Sequence, residues 1–428
     1  MLPPDRQSSL NEWVDWLLHL HAQEIDLGLE RAAQVAGEMA LLPPAPKVIS
    51  VAGTNGKGSS VAMLTAVLQA AGYRVGSYTS PHIRFFNERI RINGAMVDDR
   101  IIVEAFEAIE RNRKQTKLTY FEFSTLAALK VFKDEKVDVA VLEVGLGGRL
   151  DAVNIVDADA ALITAIDVDH VDWLGDDRSL IALEKAGIAR KGRPAVCSDP
   201  CPPDRLADYM RSQKIPFYQL GKDFNYQKNR DGWSFRFGED GMPDLPLPSL
   251  KGDFQLQNAS GVLAILQRSG LVCDARSIAD GLKNVEHEGR LQLVDLDGQS
   301  WLFDVAHNPQ SAQVLADYLS RETEAKMAAK RIAVFSVLND KDSLPMVQAL
   351  SPYIDRWAIA ELPGPRALSL SELQMLLLRA GVDPNKLFSF DSMKEAVFWG
   401  RGQAQMPILV WGSFFTVSQV KEALENAE

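Results

Sequence analysis

Gly53-Thr54-Asn55-Gly56-Lys57-Gly58-Ser59 is the segment of this sequence best suited to hold a phosphate chain. Closely spaced glycines let backbone N–H groups converge on phosphate oxygens, and a helix N-terminus behind them adds positive potential. Lys57 would neutralise β- or γ-phosphate charge, and a hydroxyl at Ser59 or Ser60 could reach a Mg²⁺ ion on the same phosphates. The spacing departs from the general G-x-x-x-x-G-K-[ST] pattern. Val51 stands where the first glycine belongs, and Gly58 separates the lysine from the serine. A bland glycine turn with an exposed lysine is the competing reading, and the flanking strand and helix weigh against it.

Three further residues occupy comparable places. Glu143 ends the apolar run Val137–Leu142, Ser80 follows the run Val75–Thr79, and His170 comes just after Ala160–Ile166. Open α/β sheets bind their ligands at the carboxyl ends of strands. A carboxylate, a hydroxyl and an imidazole gathered beside a phosphate loop make a Mg²⁺ shell, although imidazole is an unusual donor to so hard a cation. Each alone reads as structural; their shared position points to function. Lys185, in Leu183-Glu184-Lys185-Ala186-Gly187, reads by itself as a solvated helix lysine.

The elements that must position these residues follow from periodicity. Val48–Ala52 reads as a short buried strand, and the helix after the loop spans about Ser59 to Ala71, with Val61, Leu64, Val67 and Leu68 on one face and Gly72 closing it. Further strands are expected at Val75–Thr79, Val137–Val144, Ala160–Ile166 and Pro194–Cys197, with helices near 100–113 and 122–134. Apolar strands separated by helices predict a mostly parallel sheet covered on both faces. Residues 10–42 carry helical spacing before Pro43, 223–250 predict an antiparallel hairpin, and helices follow at about 254–269 and 275–284. From about 297 the rhythm restarts with five candidate strands: Trp301–Val305, Arg331–Val337, Trp357–Glu361, Lys386–Phe390 and Ile408–Trp411. The expected class is α/β. A P-loop-type, mostly parallel domain with a small β insertion spans residues 1–288, and a smaller Rossmann-like α/β domain spans 297–428.

Composition narrows the function. A net charge of −11 argues against nucleic-acid binding and obliges any anionic substrate to find a local positive pocket. No run approaches the ~18–20 apolar residues of a membrane span, and the N-terminus lacks a secretory hydrophobic region. Cys197, Cys201 and Cys273 are too few and too irregularly spaced for a disulfide framework. A cytoplasmic protein without membrane or nucleic-acid partners is expected.

Several motifs in a fixed order add a family resemblance. Val51–Ser59 is followed by Ser80-Pro81-His82, Leu142–Asp151, Asp169-His170, Glu184–Ile188, Gly289-Arg290, Asp304–Pro309 and Gly412-Ser413-Phe414. From about residue 25 to the end, the chain resembles the folylpolyglutamate synthase/dihydrofolate synthase family of the Mur ligase superfamily. The resemblance implies that ATP phosphorylates a carboxylate and that the amine of L-glutamate attacks the acyl phosphate. It implies that Gly53, Thr54, Asn55, Gly56, Lys57, Gly58, Ser59, Asn258, Arg290 and Asp304 meet ATP. Ser59, Ser80, Glu143, His170 and a carbamylated Lys185 would hold two Mg²⁺ ions. Lys57, Lys185 and His307 would serve catalysis, with His307 and Ser413 near the incoming glutamate. For His307-Asn308-Pro309 a helix N-cap with proline at N1 is an equally good local reading. One position departs from the family pattern: Phe254 stands before Gln255 where His or Tyr is expected.

Two segments resemble pterin-binding elements of bifunctional members: Asp26-Leu27-Gly28-Leu29 and Thr119-Tyr120-Phe121-Glu122, with Leu150-Asp151-Ala152 nearby. Aromatic rings stack on a flat pterin and carboxylates pair with its N–H groups; helix-start packing is the alternative for Tyr120 and Phe121. The expected acceptors are dihydropteroate and then reduced folates, with a folate-only enzyme as the alternative and a monomer as the expected state. A cell-wall Mur ligase is disfavoured because only 52 residues precede Gly53. A nucleotide switch would not explain the second α/β domain. Closure of the two domains over ATP, protecting the acyl phosphate from water, is a further expectation.

Overall fold

The computed structural model describes residues 3–21, 25–326, 331–403 and 406–425. The chain divides into two units, Met1–Ser249 with Gln255–Glu286, and Leu250–Phe254 with His287–Glu428.

The apolar runs of the first unit become an eight-stranded sheet. Its strands are β1 (Lys47–Ala52), β2 (Val75–Tyr78), β3 (Ile90–Ile92), β4 (Ala95–Met96), β5 (Val139–Glu143), β6 (Ala160–Ile163), β7 (Ala195–Cys197) and β8 (Phe217–Gln219). The spatial order is β4-β3-β2-β5-β1-β6-β7-β8. From β2 to β8 all pairs are parallel, whereas β3 and β4 add an antiparallel edge. β1, β2, β5, β6 and β7 are buried almost throughout, which is why they read as unbroken apolar runs rather than alternating ones. β1 lies between β5 and β6, and Val51 is in register with Glu143. The end of β1 and the carboxylate of β5 therefore emerge side by side.

Helices cover the sheet. Lys57–Ala70 follows β1, and Asp99–Arg113 and Tyr120–Asp134 precede β5. Asp98 caps the second of these through the Arg100 N–H, and Thr119 and Glu122 cap the third reciprocally. The expected helical stretch 10–42 is two helices, Leu10–Leu18 and Glu30–Glu38; residues 22–24 of that stretch lie outside the described residues. Trp13 and Trp16 anchor the first, with ring centroids 5.8 Å from Phe106 and 6.3 Å from Phe123.

Where a hairpin was expected at 223–250, three antiparallel strands form: β9 (Phe224–Lys228), β10 (Trp233–Phe237) and β11 (Asp240–Leu245). Trp233, Phe235 and Phe237 point inward at period 2. The Arg268 guanidinium lies 4.2 Å from the Phe237 centroid and 4.9 Å from that of Tyr218, tying this small sheet to the helix Phe254–Ser269.

Among the described residues the second unit holds six strands rather than five: β12 (Gln292–Leu296), β13 (Gln299–Phe303), β14 (Arg331–Phe335), β15 (Ile354–Ala360), β16 (Leu387–Phe390) and β17 (Ile408–Trp411). Their order is β12-β13-β17-β14-β15-β16, parallel except for β12. β12 is a half-exposed edge strand, so its residues form no apolar run. Among the described residues no helix is long and apolar enough to cross a membrane.

Candidate active site

The loop after β1 is held by its neighbours. Thr54 N–H donates to the Ala165 carbonyl at 2.7 Å, and the Thr54 hydroxyl donates to the Asp167 carbonyl at 2.8 Å. Thr164 donates to the Asn55 carbonyl at 2.7 Å. β6 thus ends at Ile163 instead of running to 166, because its continuation pairs with the loop. Gly56 sits at the head of the helix Lys57–Ala70 with φ +88°. A Cβ there would come within 2.5 Å of Asn258 Oδ1, so conformation and space both require glycine. Lys57 Nζ donates to the Gly53 and Thr54 carbonyls at 3.0 and 3.1 Å. Ser59 accepts a hydrogen bond from Gln255 at 3.3 Å, and Asn258 donates to Gln255 at 3.0 Å. Ser60 is fully buried, and its hydroxyl has no hydrogen-bond partner among the described residues.

Glu143 is buried at the end of β5 and accepts the Ser80 N–H at 3.3 Å. His170 has left-handed backbone (φ +53°) ahead of the single turn Val171–Leu174, and its N–H is held by Asp169 at 2.8 Å. Lys185 contradicts the solvated-lysine reading: it is 2% exposed, inside the helix Arg178–Ala186. Burial, with the nearby Lys57 charge, lowers its amine to about 7, against the pull of Asp169 and Glu184. The segment Gly145–Arg149 explains how that helix is seated. A Cβ on Gly148 would lie 2.4 Å from the Glu184 carbonyl oxygen and 2.9 Å from Lys185 Cα, so loop and helix touch backbone to backbone. Arg149 completes the contact through its N–H to the Glu184 carbonyl at 2.8 Å and its guanidinium to the Glu184 carboxylate at 2.8 Å.

No three His, Cys, Asp or Glu side chains among the described residues stand close enough to hold a metal alone. A hard cation arriving with a triphosphate takes most ligands from phosphate and water, and needs only one or two protein oxygens. The buried Glu143 carboxylate beside the loop and the Ser59 and Ser80 hydroxyls are donors of that kind.

The acceptor-binding candidates split into linked groups. Asp26 and Glu122 are joined through Arg31, at 2.8 and 3.0 Å. Gly28 N–H donates to the Leu150 carbonyl at 3.2 Å, and Leu29 precedes the helix Glu30–Glu38. Leu27 lies between these anchors. Thr119 and Glu122 cap the helix that Tyr120 and Phe121 begin, so helix-start packing is real here. Phe121 lies so close to Gly145 that a Cβ there would be 2.5 Å from its ring. Asp151 is 2% exposed and accepts the Leu146 and Val153 N–H groups at 2.8 and 2.9 Å, with Ala152 opening the turn after it. Burial raises its carboxyl to about 6, against those hydrogen bonds and Lys57.

In the second unit Asp304 is buried, which raises its carboxyl despite Arg290 and the N–H groups of Leu291 and Ala306. Arg290 lies 5.2 Å from the Phe414 ring centroid and His307 5.7 Å from it. His307 Nδ1 lies 2.8 Å from the Val305 carbonyl, which assigns the proton to Nδ1 and leaves Nε2 as the acceptor nitrogen. Asn308 takes the capping role before Pro309, accepting the Ser311 N–H at 2.9 Å. Ser413 likewise caps its helix, accepting the Thr416 N–H at 3.0 Å. Phe254 packs on the apolar core of the second unit.

Sequence reasoning missed Arg31 and Arg89, and named Gln255 only as the neighbour of Phe254. Arg89 is buried, donates from Nε to His82 Nδ1 at 2.8 Å and lies 5.2 Å from the Tyr120 centroid. A lone arginine or glutamine carries no spacing signal; only its neighbours in space reveal it.

Residues 51–266 match the Mur ligase middle domain, and residues 289–414 match the Mur ligase glutamate ligase domain. The dihydrofolate synthase/folylpolyglutamate synthase of Escherichia coli (strain K12) is 40% identical, with 99% of this chain and 97% of that protein covered. The folylpolyglutamate synthase of Lacticaseibacillus casei is 30% identical over 88% of this chain and 90% of that protein. E. coli FolC in complex with DHPP and ADP superposes with a TM-score of 0.92, at 40% identity and 99% coverage of both chains. A bifunctional folylpolyglutamate synthase/dihydrofolate synthase with Mn, AMPPNP and L-glutamate bound gives a TM-score of 0.90, at 40% identity over 99% of this chain and all of that one.

Proposed function

The chain belongs to the dihydrofolate synthase/folylpolyglutamate synthases of the Mur ligase family, and from that premise we propose that it joins L-glutamate to dihydropteroate and to the γ-carboxylate of reduced folates, consuming ATP. The observation that carries this reading is the meeting of the phosphate loop, the buried Glu143 and the buried, weakened base Lys185 around the carboxyl end of β1.

An amine cannot expel oxide from a carboxylate, so the acceptor carboxylate first attacks the γ-phosphorus of ATP. The bond to the bridging oxygen breaks, leaving ADP and an acyl phosphate. The loop N–H groups hold the phosphate oxygens, and Lys57 exchanges the Gly53 and Thr54 carbonyls for a phosphoryl oxygen. Asn258, Arg290 and Asp304 are assigned to the nucleotide. Mg²⁺ bound with ATP, through Ser59, Ser80, Glu143 and His170, supplies charge neutralisation on the transferring phosphoryl group.

Lys185 is the second metal-site element we assign. With its amine lowered to about 7, a large neutral fraction exists near neutral pH. That neutral amine adds to CO₂, releasing a proton and giving a carbamate, which turns a buried cation into an oxygen donor for a second ion.

The glutamate amine must be deprotonated to attack the acyl carbon. His307, with Nε2 as its acceptor nitrogen, is of the form that takes such a proton, and Ser413 is assigned beside it. Collapse of the tetrahedral intermediate breaks the C–O bond to phosphate and leaves the amide. The acceptor's pterin is assigned to Phe121, Asp151 and the segment Asp26–Leu29, with Thr119, Tyr120, Glu122, Leu150 and Ala152 shaping the wall.

The test is product mass after incubation with ATP, Mg²⁺ and L-glutamate, with dihydropteroate and tetrahydrofolate in separate reactions. A gain of one glutamate on both acceptors supports the reading. A gain on tetrahydrofolate alone leaves a folate-only enzyme, and no gain on either rejects the assignment.

A further inference from the structure

Arg89 is 7% exposed, yet among the described residues no carboxylate lies within ion-pair distance of it. Its Nε–H donates to His82, a neutral acceptor, and its guanidinium lies 5.2 and 5.8 Å from the Tyr120 and Phe86 ring centroids. Ring faces, the neighbouring Tyr120 hydroxyl and one imidazole nitrogen attract a cation only weakly compared with the cost of removing a full charge from water. Nearby arginines are balanced differently: Arg31 meets Asp26 and Glu122, and Arg149 meets Glu184.

The position of Arg89 matters as much as its charge. Tyr120 is followed by Phe121, whose ring abuts Gly145, and Tyr78 lies 6.1 Å from Phe121. The Tyr78 hydroxyl feels the charges of both Arg89 and Asp151. His82 is two residues from Ser80, whose N–H reaches Glu143. The guanidinium, with no carboxylate partner among the described residues, therefore lies in the group of side chains that links the proposed pterin contacts Tyr120 and Phe121 to Ser80 and Glu143.

The two proposed acceptors differ in charge at just such a place. Dihydropteroate carries one carboxylate, which must meet the phosphate of ATP. A reduced folate carries two. Its γ-carboxylate must take that same place, leaving an α-carboxylate inside the wall of a chain whose net charge is −11. We propose that the Arg89 guanidinium is the subsite for the α-carboxylate of acceptors that already bear glutamate, making Arg89 a specificity-determining residue between the two reactions. The inference rests on the two-acceptor reading above.

The test compares kcat/KM for tetrahydrofolate and dihydropteroate in the wild type, Arg89→Gln and Arg89→Lys. Loss of a charge-assisted contact shifts the tetrahydrofolate-to-dihydropteroate ratio about 10- to 100-fold toward dihydropteroate in Arg89→Gln, chiefly through KM, and Arg89→Lys restores part of it. Equal losses on both acceptors, or none on either, overturn the proposal, since a purely structural role would not move the ratio. A second measurement needs no variant: tetrahydropteroyl-γ-aminobutyrate keeps the γ-carboxylate but lacks the α-carboxylate. The wild type should use it about 10- to 100-fold less well than tetrahydrofolate, and equal use overturns the proposal. Failure of the wild type on both natural acceptors would appear before any variant is made, and would remove the reading on which the subsite depends.

Discussion

Lys185 lies inside the helix Arg178–Ala186 with its side chain removed from water. In an exposed helix its amine would stay protonated at neutral pH; 2% exposed and beside Lys57, it is lowered to about 7. The sign of its effect on stability follows. Between about 7 and the ordinary 10.5, the unfolded chain binds a proton that the folded chain has released, so this group makes stability rise with pH across that window. Below about 7 the folded state carries a buried charge and the penalty is complete. Lys185→Met should therefore raise the melting temperature most at pH 6 and least at pH 9, measured without bicarbonate, while ATP-dependent turnover falls at least ~100-fold. A melting temperature that falls at pH 6 would contradict the burial argument. In ¹³C-bicarbonate, the wild type should show a carbamate resonance that grows as pH rises through about 7 and is absent from Lys185→Met. Nothing in the sequence beyond the family resemblance marks this residue, because Lys185 sits at ordinary helical spacing. Arg89 and Arg31 were invisible for the same reason. Glu143 was legible because it terminates an apolar run that could only be a buried strand.

At the scale of elements, the Gly145–Arg149 loop is seated backbone to backbone on the helix Arg178–Ala186 that carries Lys185. Gly148→Ala places a methyl group against backbone rather than a yielding side chain, 2.4 Å from the Glu184 carbonyl oxygen. It should cost about 1–3 kcal/mol in urea denaturation and lower kcat at least ~10-fold by displacing Lys185. Gly37 makes the opposite case: it lies in the helix Glu30–Glu38 with no atom within 4 Å of an added Cβ. Gly37→Ala should stabilise by up to ~1 kcal/mol and leave turnover intact. Most strands and helices near the site were legible from periodicity, since runs buried on both faces leave an unbroken apolar signature. The edge pieces were not. β3 and β4 are three and two residues long, and β12 is half exposed, so none buries enough to mark the sequence. The end of β6 was placed too late because Thr164 and Ala165 are apolar enough to continue a strand, yet they hold the phosphate loop instead.

For the whole molecule, an acidic chain binding a tetra-anionic nucleotide requires charge compensation at the site. ATP with Mg²⁺ should raise the thermal transition by mass action, about 2.7 kcal/mol at a hundred times Kd, and ATP with EDTA should give much less. Equal stabilisation with and without the metal would count against metal-assisted phosphate binding. The central claim is that the acceptor carboxylate is activated as an acyl phosphate, and the most direct test follows one oxygen atom. Dihydropteroate labelled with ¹⁸O in its carboxylate is turned over with ATP, Mg²⁺ and L-glutamate, and the released phosphate is examined by ³¹P NMR. Transfer of one ¹⁸O per amide formed is the result this account predicts; phosphate released without the label while amide accumulates would contradict it.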